Sequence, residues 1–173
     1  MRDITKPKPS IETYSKDDLL QWERNYLKKG VTDGGLFSLF EIRLELLARE
    51  GGEFTGKAVV EAIRGLLAKS TTGLVTRARL FKALKPDLDW AGPESEALVV
   101  RALGSALHYC MTQDLPLYPC VVVAAPQAKL TQAAVQATHD LCARVGLDMG
   151  RDTEKFIEKH CKLVAKHLKK PLP

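Results

Sequence analysis

The chain has 173 residues, 45% of them hydrophobic and 27% charged, with a net charge of +5. This is an ordinary composition for a folded globular protein, long enough to bury a core as one domain or as a small domain with helical additions. No apolar run approaches the ~20 residues a bilayer requires, which excludes a membrane-spanning helix, and "MRDITKPKPS" has no apolar stretch of the secretory kind, so the expected location is the cytoplasm.

Residues 1–13 carry "KPKPS" and no periodic apolar face, which predicts a flexible arm. Ser15 with Asp18 three residues on is a capping-box signature, opening a helix that stops at Gly30. "GLFSLFEIRLELLARE" predicts a second helix, with Leu36, Phe40, Leu44 and Leu47 on one face and Gly51-Gly52 at its end. Residues 14–52 therefore read as a helical hairpin. Its apolar stripe suits core packing, a partner surface or a homodimer contact.

Residues 53–130 form the next unit. "TGKAVVEAIRGLLAKS" is helical with Val59, Ile63, Leu66 and Leu67 inward, "TTGLV" is brief and β-favouring, and Thr76 caps "RARLFKALKP". Pro86 stops that helix, and Pro93 suits the first turn of a longer one through "ALVVRALGSALHYCMTQ". "LPLYPCVVVAA" predicts the one buried strand, because its valines fit a two-sided position. In residues 131–173, "AKLTQAAVQATHDLCARVG" predicts a helix ending at Gly146, and a last amphipathic helix spans about Asp152 to Lys169, both packing on the core.

The fold class is thus mainly α with a small β component. The order helix, short strand, capped helix, long helix, strand resembles a winged helix-turn-helix. Over about residues 54–129, "FTGKAVVEAIRGLL", "GLVTRARLFKAL", "RALGSAL" and "LPLYPC" are similar to the DNA-binding domain of alkylguanine-DNA alkyltransferases and alkyltransferase-like proteins. That resemblance implies that Arg101 is the arginine entering the space left by a flipped base, and Cys120 the alkyl acceptor. Val121 and Val122 stand where the family's motif has His and Arg, and Arg77 where it has a nucleotide-turning tyrosine. Without the histidine a thiol lacks its activator. The alternative alignment makes "LPLYPCVVVAA" the wing strand of a generic winged helix, with Cys120 at a small apolar position.

The candidate contacts are cations. Arg77, Arg79 and Lys82 lie on the Thr76-capped helix, with Arg101 and Lys129 as possible flanks; phosphates and base edges both favour such side chains. Asp87, Asp89, Glu94 and Glu96 dilute this patch. On the last helix, at about 100° per residue, Lys155, Lys159, Lys162, Lys166 and Lys169 form one stripe opposite Ile157, Cys161, Val164 and Leu168. That stripe suits a phosphate rail or a solvated face; His160 and His167 flank it and suggest pH sensitivity.

Four cysteines and four histidines show no C-x-x-C or H-E-x-x-H spacing, and there is no phosphate-cradling glycine loop or Ser-His-Asp pattern, so neither a metal nor another cofactor is expected. The expected function is a small basic, non-catalytic protein binding nucleic acid, duplex DNA ahead of RNA. Arg77, Arg79, Lys82 and Arg101 are the leading contacts, followed by Lys159, Lys162 and Lys166. The competing expectation is an interaction module for an acidic protein surface, an adaptor or inhibitor of phage or mobile-element origin. An alkyltransferase-like protein using Cys120 stands third.

Overall fold

Side-chain caps set most of the helix boundaries. In a computed structural model that describes residues 8–126 and 129–173, Ser15 and Asp18 bond each other's backbone N–H at 3.1 Å and open α1, Lys16–Lys29. Gly30, at φ 64°, closes it in the left-handed conformation that glycine adopts without strain. Thr55 caps α3 (Gly56–Leu67), Thr76 caps α4 (Arg77–Leu84) and Pro93 begins α5 (Pro93–Thr112). Thr131 caps α6 (Gln132–Val145) and Asp152 caps α7 (Thr153–His167). Mainly α is therefore the fold class.

The second helix, α2, is Leu39–Glu50, four residues shorter at its start than the apolar pattern suggests. Ser38 is the reason. Its hydroxyl accepts from the Glu41 N–H and the Glu41 carboxylate accepts from the Ser38 N–H, a second capping box. Phe37 lies outside the helix and is buried. Lys8 pairs with Glu41 at 3.0 Å, and Arg49 donates to the Tyr14 carbonyl at 2.8 Å. The arm expected over residues 1–13 is thus tied down over its later part, with a 3-10 turn at Ile11–Thr13; residues 1–7 lie outside those described.

Two apolar cores share α2. Ile42 and Leu46 pack with Leu19 of α1 and Phe37, whereas Leu44 and Leu47 face the larger core. That larger core is organised on α5, which packs against α2, α3 and α4. Close approach depends on glycine. A Cβ on Gly56 would meet the Ser105 carbonyl oxygen and Tyr109 Cβ inside van der Waals contact, so α3 starts almost on the α5 backbone. Glu45 of α2 is buried on the side facing α5 and is held by Arg49 at 2.7 Å, with His108 Nε2 of α5 at 3.5 Å.

The segment expected as one buried strand, "LPLYPCVVVAA", is instead a 3-10 turn at Tyr118–Val121 followed by a two-residue strand β2, Val122–Val123. Pro119 supplies no N–H to a ladder and favours the turn, which closes with Cys120 N–H on the Leu117 carbonyl at 3.0 Å. β2 pairs in parallel with β1, Val75–Thr76, the only strand pairing among the described residues. A wing hairpin would be antiparallel.

Helix α7 docks on this turn through Ile157 and Val164, and through its two histidines. His160 Nδ1 accepts from the Leu117 N–H at 3.2 Å, and the Tyr118 hydroxyl lies 2.9 Å from His167 Nδ1. Arg64 Nη1 donates to that hydroxyl at 2.8 Å, which leaves the hydroxyl proton for the imidazole. Both imidazoles therefore serve as neutral acceptors. Burial lowers the pKa of each below the ordinary 6.5, assisted by Lys159 for His160 and by Arg64 and Lys170 for His167. The unfolded chain then takes up protons first as the pH falls below 6.5, so stability is fully present above 6.5 and declines below it. Urea midpoints are expected to be flat from pH 8 to 7 and to drop between pH 6.5 and 5, and less so in His167→Gln. An unchanged midpoint across that lower window would contradict the acceptor assignment.

Candidate nucleic-acid interface

The four cations expected from the middle unit do not form one outward patch. Arg77 points inward from the first turn of α4 and pairs with Glu96 of α5; its side chain is only 14% exposed and its Nε has no partner among the described residues. Arg77 is thus a strut between two helices rather than a surface contact. Glu96 neutralises its charge where water is scarce, and a charge withdrawn from water needs such a partner. Lys82 is exposed but leans on the following loop, 3.2 Å from the Leu88 carbonyl and 3.4 Å from Asp89. Two of the acidic residues that dilute the patch in the sequence are the groups that engage it.

Arg79 and Arg101 are different. Both are exposed, and neither has an ion-pair partner among the described residues. Arg101 stands on a narrow exposed stripe of α5 with Glu94 and Ala97, because Val99, Ala102, Leu103 and Ala106 are buried around it. Most of α5 is therefore committed to the core and cannot enter a groove.

Four of the five terminal lysines keep the arrangement their spacing implies; the fifth, Lys169, lies past the end of α7, which stops at His167 rather than at Lys169. Lys155, Lys159, Lys162 and Lys166 line a shallow groove of about 480 Å³ on α7 together with Glu158 and Leu163. Lys155 is held by Asp152 at 2.9 Å. Lys159, Lys162 and Lys166 are exposed and have no ion-pair partner among the described residues. The opposite face of α7 is anchored by Ile157 and Val164, so the lysine face is fixed relative to the core.

Cys120 is buried, 1% exposed, in the turn beneath α7. Burial pushes its thiol well above the ordinary value, with Cys142, Cys161 and Cys110 nearby adding to the rise. The Cys161 thiol points at the Cys120 carbonyl, 3.5 Å away, and His160, which stands over this turn, bonds Leu117 instead. The surroundings favour a neutral thiol at the small apolar position of the generic alignment. Among the described residues no group of three His, Cys, Asp or Glu side chains is placed to share a metal ion.

The chain matches no family model, no curated protein and no solved structure. Assignment therefore rests on the geometry of the exposed cations.

One cationic feature is not apparent from helical periodicity. The turn after α3 brings Lys69, Ser70, Thr71 and Thr72 beside Thr76 and Arg79, around a depression of about 560 Å³ that also touches Val123 and Pro126. The hydroxyl run "STT" is the only sequence sign of it, and its approach to Arg79 depends on the β1–β2 pairing.

Proposed function

We propose that this protein is a non-catalytic nucleic-acid-binding protein that holds duplex DNA by its phosphates. The observation that carries the reading is the face of α7 on which Lys159, Lys162 and Lys166 stand exposed, in register and without carboxylate partners among the described residues, while the opposite face is packed. Phosphate contact needs cations displayed in this way, and it supplies most of the affinity of sequence-independent binding. Arg79 and Arg101 add exposed charge elsewhere on the molecule. The order α3, β1, α4, α5, β2 supports a winged-helix-like description of the middle unit. The burial of most of α5 argues against its use as a recognition helix in the major groove, and so favours backbone over base contacts.

Mobility shifts on a short duplex across a salt series test this. Affinity is expected to fall steeply with salt. The triple variant Lys159→Gln, Lys162→Gln, Lys166→Gln should flatten the log–log slope by about 3, at roughly 0.9 for each phosphate no longer neutralised. No retention of duplex DNA by the wild-type protein at low salt would end the reading.

A second reading, a protein-interaction module or homodimer, is favoured by one observation. Trp22, Tyr26, Val31, Leu36 and Phe37 line a groove of about 420 Å³ at the α1–α2 junction, with Val31 and Leu36 44% and 46% exposed. Apolar exposure of this kind marks contact surfaces. Retention of a protein partner, or of a second copy, after nuclease treatment would move the assignment there.

A further inference from the structure

We infer that the depression between the α3–β1 turn and the start of α4 is a phosphate-binding site, where Lys69 and Arg79 grip one phosphate group of a nucleic-acid strand. The inference rests on the nucleic-acid reading but on different residues from the α7 face.

Charge is the first argument. The walls are formed by the Lys69–Thr72 turn, Leu74, Thr76, Arg79, Val123 and Pro126, and not one of these residues is acidic. The other concavities described on this chain each include a carboxylate: Asp33 in the groove at the α1–α2 junction, Glu158 beside the α7 lysines, Glu23 and Glu50 between α1 and α6, and Asp33 and Asp148 beside α2. An anion entering here meets two cations and no repelling group on the wall. Neither Lys69 nor Arg79 has an ion-pair partner among the described residues, in contrast to Arg77 two positions away.

Hydrogen-bonding capacity is the second. Ser70 Oγ donates to the Leu74 carbonyl at 2.9 Å, and Thr72 Oγ1 accepts from the Leu74 N–H at 3.3 Å, so these two hydroxyls hold the turn in shape. Thr71 is exposed on the same wall, and its hydroxyl makes no bond among the described residues. A phosphate oxygen accepts from a guanidinium fork, an ammonium and a hydroxyl alike; Arg79, Lys69 and Thr71 offer all three, and the Thr76 hydroxyl, which accepts from the Arg79 N–H, keeps its own proton to donate. Placement is the third argument. Val75 is fully buried and paired with Val122, so the strand pair fixes the turn against α4 rather than leaving Lys69 on an independent loop.

The test uses the intact chain and two surface variants, Lys69→Gln with Arg79→Gln, and Thr71→Val. All three substituted residues are exposed, so the fold should be retained, which unfolding midpoints would check. If the wild type binds duplex DNA, the double variant should flatten the salt slope by about 2 and weaken binding several-fold at fixed salt, with a smaller loss for Thr71→Val. An unchanged slope in the double variant, with the α7 triple variant still impaired, overturns the site and leaves the nucleic-acid reading standing. If the wild type binds no DNA, inorganic pyrophosphate is titrated while the amide resonances of residues 70–76 are followed. Saturable shifts that vanish in Lys69→Gln, Arg79→Gln support a site for a free phosphate compound although the DNA reading has failed. Absence of shifts overturns the site as well.

Discussion

Cys110 is expected to react with a thiolate-directed alkylating reagent about a thousandfold more slowly in the native protein than in the unfolded chain. Burial pushes its thiol from an ordinary 9.0 up to about 12, which depletes the thiolate at neutral pH by a factor on the order of a thousand. Cys142 and Cys161 are raised to about 11, which predicts about a hundredfold suppression for each. Cys161 is only partly buried, so it should be modified first, and Cys120, fully buried with its pKa well above the ordinary value, among the last. Timed alkylation at pH 7.5 followed by peptide mass spectrometry gives the order directly. The outcome matters for function. A Cys120 modified as fast as a free thiol would mean that a base reaches it in solution, and the alkyl-acceptor role implied by the "LPLYPC" resemblance would regain its footing.

Replacing Arg64 is expected to cost about 2–4 kcal/mol of stability, a large effect for a single polar side chain. Its guanidinium leaves α3 and meets the end of α7, donating to the carbonyls of His167 at 3.3 Å, Leu168 at 3.1 Å and Lys170 at 2.5 Å, besides the Tyr118 hydroxyl. A helix end leaves its last carbonyls unpaired and carries partial negative charge, so a cation with several donors answers both needs at once. No carboxylate competes for Arg64 among the ion pairs of the described residues. Arg64→Met keeps the stem and removes the donors; Arg64→Lys keeps the charge but loses the planar fork and should recover less than half of the difference. Urea unfolding measures both. A loss below about 0.5 kcal/mol for Arg64→Met would show that water replaces the fork without penalty. Because Arg64 also helps hold His167 below its ordinary pKa, the acid sensitivity should weaken in the same variant.

What can be read from the sequence is local. Ser15 with Asp18, Thr76, Pro93 and Gly146 announce boundaries through contacts within four residues, and each stands at the helix end its chemistry implies. The lysine stripe is legible for the same reason, since periodicity alone determines which side of one helix it occupies. Ser38 is obscured by "GLF", which continues the apolar rhythm although Phe37 serves the smaller core. The fate of Arg77 depends on Glu96, 19 positions later and on another helix, and no spacing rule separates Arg77 from Arg79 in advance. The run of valines suggests a long strand, but its only pairing partner among the described residues is two residues long. Likewise, Lys69 and Arg79 come to line one depression only through a turn whose path is fixed by a strand from a distant part of the chain.

The two-sided character of α2 has a consequence for how the molecule breathes. Detaching α1 uncovers Ile42 and Leu46 while Leu44 and Leu47 stay clamped against α5, so this excursion exposes only the minor set of side chains. Such an opening is expected to demand less free energy than global unfolding, so the amides of α1 should exchange with deuterated solvent before those of α5.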